Sequence, residues 1–336
     1  MKKYLLPKEG KFYKANLHMH TNISDGRMSV EETKQAYLEK GYSIVAFTDH
    51  EVMVPHTELS DETFLALTST EIAFNQEAPH PFPYLKCYHL NLYSKEPLKS
   101  DYSTFNIRSI WLAHSLQYVT DEQVKVNYKK VYSTDCVNDI IRKAKEEKCL
   151  VSYNHPVWSL QGYEDYINLK GLWGVEWYNT GCVNAGYKDS IQPIDELLRK
   201  GERVFPLATD DSHGLDDRFG GWVMVKAKNL NYDTIFNALE VGDFYSSSGP
   251  EILELTLEDG IINVKTSSCY RIILTTDRRE TMFVNGDDIN CATFDINSYL
   301  EESKTNINQH QYIRITVIDS TGNEAYSRAY FIDELE

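Results

Sequence analysis

Several things are scarce in this chain of 336 residues, and each scarcity removes a class of function. No apolar run approaches the length of a membrane span, and residues 1–9 lack the apolar core of a signal peptide. Neither an export signal nor a membrane partner is therefore expected. Cysteine is sparse and scattered (Cys87, Cys136, Cys149, Cys182, Cys269 and Cys291), with no C-x-x-C pair. That indicates neither a disulfide framework nor a thiolate zinc site, and free thiols in a reducing cytoplasm are the economical reading. Positive charge is short as well. With 34 Lys and Arg against 50 Asp and Glu, the formal net charge is −16. Such a surface repels long polyanions, so nucleic acid is not an expected partner. Most of the acid excess reads as solvated surface, and part of it as ligands whose charge bound cations would cancel.

What is present is an ordinary globular mixture, 42% hydrophobic and 25% charged. The length suits one large domain with a smaller companion. A strand is expected over 15–18, leading into the stretch Asn16-Leu17-His18-Met19-His20-Thr21, which Ser24-Asp25-Gly26 follows closely. On an extended chain His18 and His20 project from the same face, where two neutral imidazoles can hold a divalent metal. An ordinary surface would show such a pair about as readily, so its weight depends on the rest of the chain. Ser29 and Glu32 form a capping box opening a helix that should stop at Gly41. Apolar strands are expected over 43–47, 64–68, 88–93, 149–153, 171–177 and 203–208, and amphipathic helices over 135–148 and 193–200. A strand over 222–226 and a helix over 232–241, capped by Asn231, close this part. Residues 100–132 show no clear period and suit a lid or insertion over a site.

One pattern repeats along these elements. A short apolar strand ends, and a His, Asp or Glu stands at or near its C-terminal end: Asp49-His50, Glu71, His89, Asn154-His155, Asp210-Asp211-Ser212-His213. Alternating strands and helices imply a mainly parallel sheet or barrel, whose strand C-termini form the functional face. Residues far apart in sequence would then meet. After residue 250 the texture changes to strands without helical periodicity, which suits a small antiparallel sandwich.

These motifs (H-M-H with S-D-G, T-D-H, a Glu after a strand, N-H-P and D-S-H) resemble those of the PHP (polymerase and histidinol phosphatase) domain family, in its order, over about residues 12–249. The resemblance implies a distorted seven-stranded (β/α) TIM-like barrel over 1–249, with a C-terminal all-β sandwich over 250–336. It implies two to three divalent ions. Carried over by motif, His18, His20, Glu71 and Asp211 would bind the first, and Glu71, His89 and His155 the second. Asp25, His50 and His213 would hold the third. Many relatives have His where this chain has Asp25, and the harder oxygen tilts that position towards manganese or iron, with zinc the alternative. Asp210 and Asp211 compete for one role, and the D-x-H spacing favours Asp211.

Clustered metals lower the pKa of a bridging water and neutralise charge on phosphate oxygens. The expected reaction is hydrolysis of a small phosphomonoester or nucleotide-like phosphodiester. Glu71, Asp211, His213 and Arg218 are expected at the reacting centre, Arg218 as a phosphate grip or else as a salt-bridge partner of Asp216 or Asp217. Asp49 is expected to orient His50 or a turn. His114 reads as a surface residue before a general acid, and His56, His80 and His310 have no supporting context. Trp158, Trp173, Trp177 and Trp222 can stack on a nucleoside, with barrel packing the default. Other readings are a non-hydrolytic metal-stabilised scaffold, and an amide or carboxyl-ester hydrolase using the same activated water.

Overall fold

The computed structural model describes residues 2–77, 84–304 and 310–335. The first ten strands are β1 (Lys3–Tyr4), β2 (Lys11–Asn16), β3 (Tyr42–Phe47), β4 (Leu65–Glu77), β5 (Tyr84–Ser94), β6 (Cys149–Tyr153), β7 (Gly174–Asn179), β8 (Phe205–Thr209), β9 (Trp222–Ala227) and β10 (Phe244–Ser247). Then come β11 (Ile252–Glu258), β12 (Ile261–Thr276), β13 (Thr281–Asp295), β14 (Tyr312–Ile318), β15 (Glu324–Ser327) and β16 (Tyr330–Phe331). All belong to one mixed sheet, in the order β1-β11-β12-β14-β15-β10-β9-β2-β3-β4-β5-β6-β7-β8, with β13 on β12 and β16 on β14. The fold is mixed α/β.

Local signals account for the helices that flank the sheet. The Ser29 hydroxyl accepts the Glu32 amide at 3.2 Å while the Glu32 carboxylate accepts the Ser29 amide at 2.8 Å. This closed capping box starts the helix Val30–Glu39, and Gly41, at φ +76°, lets the chain turn away after it. The helix Thr134–Glu146 buries Val137, Ile140, Ile141 and Ala144, its three-and-four stripe, in a core shared with Leu90, Leu92, Val151 and Val175 of the sheet. Each large aliphatic side chain among these stabilises the fold by roughly 1.5–3 kcal/mol when fully buried.

Strands β2, β3 and β4 run parallel, as do β6, β7 and β8. Between these groups β5 is antiparallel to both β4 and β6. The strand–helix alternation read from the sequence therefore breaks at β5. Residues 78–83, between Glu77 and Tyr84, are too few for the crossover that a parallel neighbour needs.

The sheet also curls. Beyond β2 and β8 the two chain segments meet, with Asp211 N donating to His18 O at 2.9 Å and His20 N to Ser212 O at 3.1 Å. Ala15, Ile44, Leu65, Leu207 and Val223, from five strands, share one apolar cluster. The expected barrel thus takes the form of a curled portion of a larger sheet, whose hydrogen-bonded path ends at β8.

At residue 250 the sheet continues. β10 pairs with β9 on one side and β15 on the other, and the N-terminal β1 pairs with β11. Residues 261–276 form one long strand, β12, bent by register shifts against β13. The helix Asn297–Ser303 interrupts a stretch expected to hold strands alone, and its seven residues are too short to show a 3.6 period.

Residues 100–132 hold short turns of 3-10 helix, Ile107–Ser109 and Ala113–Tyr118, and the helix Asp121–Val124. Specific bonds strap them down. Ser115 Oγ donates to Ile23 O at 2.7 Å, and Tyr102 OH to Glu51 O at 2.9 Å. Lys130 and Glu51 form a buried ion pair. Among the described residues no helix is long and apolar enough to cross a membrane.

Candidate metal centre

The carboxyl ends of the parallel strands deliver most of the candidate ligands to one place. His18 and His20 follow β2, His50 follows β3, His155 follows β6, and Asp211 and His213 follow β8. Glu71 and His89 lie inside strands instead. In the β4–β5 ladder Ala73 faces His89, so Glu71, two residues before Ala73, shares a face with His89. Their side chains meet at 3.1 Å. His155 and Asp211 both hold positive φ, +30° and +52°, a backbone cost borne where their side chains turn to the cluster.

The side chains converge tightly. Four overlapping groups each bring one ligand atom per residue within 4.8 Å of one another: His18, His20 and Asp211; Glu71, His89 and His155; His20, Asp25, His50 and His213; His18, His155 and Glu176. Glu71 also reaches the first group, at 3.2 Å from His18 and 3.3 Å from His20. It touches the third at 3.2 Å from His50.

Hydrogen bonding shows that this donor set fits a cation. His18 Nδ1 lies 2.8 Å from Glu176 Oε1, and an ionised carboxylate only accepts, so Nδ1 carries the hydrogen. Nε2 of the neutral ring is then a lone pair. It faces Glu71 Oε1, Asp211 Oδ1 and His20 Nε2, each at 3.2 Å. Once both rings are neutral, four acceptors are directed at one point and repel unless a positive charge lies among them. Ligands about 2.0–2.2 Å from a common ion stand roughly 3.0–3.5 Å apart, the spacing seen here. His50 Nδ1 is buried without a hydrogen-bond partner and is likewise aimed at Glu71.

Titration follows from the same crowding. Burial pushes the His20 imidazole down, but hydrogen bonds to Asp211 and Glu71 outweigh it and lift it to about 10. Burial and the charge of His20 push His50 down to about 3, against the pull of Glu71 and Asp25. Burial would raise Glu71, yet His89, His18 and His50 hold it well below the carboxylate range. Protons on some imidazoles thus balance the buried acids, a task a divalent ion takes over.

Of the two adjacent acids, Asp211 points into the cluster. Asp210 is occupied elsewhere, accepting from Tyr37 OH (2.8 Å), Thr180 Oγ1 (2.6 Å) and the amides of Phe219 (2.9 Å), Gly220 (3.1 Å) and Gly221 (3.3 Å). Asp49 orders a turn. It accepts from the amides of Thr21 and Ser24 and from both their hydroxyls, fixing the loop that presents Asp25. His114 Nε2 lies 2.8 Å from the Ser24 carbonyl and so donates to that loop.

Arg218 stands apart from the residues that line the cleft. Its guanidinium packs on Phe219, donates to Leu215 O at 3.3 Å and lies 3.0 Å from the Met28 sulfur. Its neighbour in sequence, Asp217, faces the cleft while the arginine turns away. Trp158 lines the cleft, whereas Trp173 and Trp177 are buried in the cores and Trp222 packs beside one. His56 is buried edge-on to Phe47, and His310 packs close to Gly201. His80 lies outside the described residues.

Three residues escaped the sequence reading. Glu176 sits in β7, fully buried, and fixes the His18 ring while also accepting Thr209 Oγ1 (2.7 Å), the His155 amide (3.1 Å) and Asn179 Nδ2 (3.0 Å). A single acid inside an apolar strand was its only signal. Arg108 and Trp111, from the strap over 100–132, line the cleft, which encloses about 890 Å³.

Residues 16–99 match the PHP domain family. No curated protein matches the chain. Among solved structures it is similar to a two-domain protein from Bacteroides vulgatus containing a predicted PHP-like metal-dependent phosphoesterase, at 14% identity over 98% of both chains and a TM-score of 0.45. A candidate metal-dependent phosphoesterase from Bifidobacterium adolescentis aligns at 16% identity, over 70% of this chain and 96% of that one, with a TM-score of 0.39. A lesion-specific endonuclease from Pyrococcus furiosus aligns at 14% identity, over 68% of this chain and 56% of that one, with a TM-score of 0.39. The matched segment contains His18, His20, Asp25, His50, Glu71 and His89, and it is the PHP domain family that this chain resembles in sequence.

Proposed function

We propose that this chain is a metal-dependent phosphoesterase that hydrolyses a small phosphomonoester or a nucleotide-like phosphodiester. The observation that carries the reading is the set of imidazole and carboxylate acceptors directed at shared points, led by the His18 Nε2 lone pair. We assign His18, His20, Glu71 and Asp211 to one ion, Glu71, His89 and His155 to a second, and Asp25, His50 and His213 to a third. Two to three ions are proposed, manganese or iron before zinc where Asp25 supplies hard oxygen. When bound, such ions supply a water acidified to near neutrality and positive charge for the phosphate oxygens.

The chain's own residues do the rest. Glu176 holds the His18 ring, and Asn154 Nδ2 and Asn179 Nδ2 hold Glu71 and Asp211 at 2.9 and 3.1 Å. These bonds keep the carboxylates in place while charge builds on the substrate. Asp25 and His213 are the most open members, with side chains 31% and 37% exposed, and they mark the end where a phosphate enters. Arg108, not the expected Arg218, brings a positive side chain to the cleft. The curled part of the sheet is read as a distorted seven-stranded PHP-type barrel over 1–249, and the strands from 250 as a small sandwich. Free thiols at all six cysteines support a cytoplasmic location.

The test is hydrolysis of aryl phosphomonoester and phosphodiester probes by metal-stripped protein, with manganese, iron(II) or zinc restored. Metal-dependent turnover that His20→Ala abolishes is expected. Silence with every metal, on protein that elemental analysis shows to be loaded, would move the reading to a scaffold or an amide hydrolase.

A further inference from the structure

A phosphate group fills a small part of the cleft of about 890 Å³, so its walls describe the rest of the molecule it takes. Two of those walls are tryptophans. Trp111 is 53% exposed and Trp158 is 40% exposed, although burial is the usual state of so large an apolar side chain. Each leans on the imidazole of a different part of the cluster. The Trp111 ring packs on His50, with centroids 4.6 Å apart, and Trp158 packs on His89 at 5.5 Å and His155 at 5.1 Å.

Both seats are fixed by the backbone. The turn before Trp111 is held by Asn106, which accepts the Arg108 amide at 2.9 Å and donates to Tyr128 O at 2.8 Å. Next to Trp158, the Val157 amide donates to Asp189 Oδ1 at 2.9 Å. Indoles held this way offer their open faces at little ordering cost. Arg108 comes from the turn just before Trp111. Among the described residues that line the cleft it is the sole Lys or Arg, and its exposed guanidinium makes no ion pair among them.

We propose that the cleft selects phosphate esters whose alcohol carries a flat aromatic ring bearing a second anion, the ring clasped by Trp111 and Trp158 and the anion paired with Arg108. The inference rests on the phosphoesterase reading and narrows it to a substrate class. In the reaction, water adds to phosphorus, the bond from phosphorus to the ester oxygen breaks, and the departing alcohol takes the proton. Inorganic phosphate is the other product, and no further reactant is required. A guanidinium and a carboxylate pair bidentately, while the two indoles discriminate shape.

Binding of non-hydrolysable phosphonates to the metal-loaded protein, followed by tryptophan fluorescence, tests this apart from turnover. Benzylphosphonate is compared with cyclohexylmethylphosphonate, which has the same charge and similar bulk but no flat ring. Stacking on two indoles should favour the benzyl compound about tenfold. The preference should vanish in Trp111→Leu/Trp158→Leu, which retains apolar bulk and is followed by calorimetry. A 4-carboxyl group should tighten binding about tenfold more in the wild type and add nothing in Arg108→Gln. Equal affinity for the two rings would overturn the clasp, and a carboxyl effect that survives Arg108→Gln would overturn the pairing. Failure to release phosphate from benzyl phosphate, with the binding preferences intact, would instead refute the phosphoesterase reading alone.

Discussion

Glu176→Gln should separate metal binding from folding, because a glutamine has only two ways to sit there. All four partners of Glu176 are presented as donors: His18 Nδ1, Thr209 Oγ1, the His155 amide and Asn179 Nδ2. In one orientation the new amide NH₂ faces the His155 and Asn179 donors and clashes with both. In the other it faces His18 and Thr209. The threonine hydroxyl turns to accept, and the His18 ring leaves Nδ1 bare and carries its hydrogen on Nε2. This second arrangement satisfies every group, so folding stability should change little. It also puts a hydrogen on the very nitrogen aimed at Glu71 and Asp211.

Binding an ion through His18 then requires a return to the first orientation, with two unsatisfied buried donors at about 1–3 kcal/mol each. At about 1.4 kcal/mol per decade, even the lower sum is a loss of roughly 30-fold in affinity. Calorimetric titration of stripped protein with manganese, beside thermal unfolding without metal, measures both quantities. Wild-type affinity at every position in the folded variant would show that Glu176 does not set the His18 tautomer for an ion.

Asp211→Asn should keep the fold, since asparagine tolerates the positive φ there, while sharply reducing metal uptake. Asp210→Asn should do the reverse, losing about 1–3 kcal/mol of stability through a misplaced amide among its donors, with metal uptake unchanged. Unfolding and titration of the two variants check this pair. Metal binding near neutral pH should release protons, because His20 is lifted to about 10 and His18 and His89 are raised when ion-free. Affinity should therefore rise with pH, and calorimetry in buffers of different ionisation heat counts the protons. By the same linkage, His20 stabilises the ion-free fold fully below pH 6.5, and that contribution disappears as pH rises through about 10. Lys130→Met should cost about 3–5 kcal/mol in a urea melt, since it strands the buried Glu51 charge that ties the strap to β3 and β4. A loss near zero would show that the strap is held by its other bonds.

The cluster was legible in the sequence where chemistry and periodicity coincided. An apolar run ending in T-D-H or N-H-P places a ligand at a strand terminus, and His18, His20, His50, His155 and Asp211 do stand there. Glu71 and His89 were harder because they come together through the antiparallel ladder of β4 and β5, a pairing that no local pattern announces. Glu176 was hidden inside an apolar strand, where only the partner imidazole explains a carboxylate. Arg218 shows the limit of adjacency. It stands five residues after His213, yet the turn between them sends its side chain to Met28. Arg108 lies on a 3-10 turn and Trp111 between two of them, with no period to read. Their place over the cleft depends on long-range bonds such as Lys130 to Glu51.

On the proposed function, this side-chain cluster works by holding divalent ions. Phosphate release from an aryl phosphomonoester should be followed while manganese is titrated into stripped protein. No release is expected at the start, then a rise with each equivalent and a plateau at two to three ions per chain. Release that proceeds undiminished in the stripped protein, or that ignores added metal, would contradict that function.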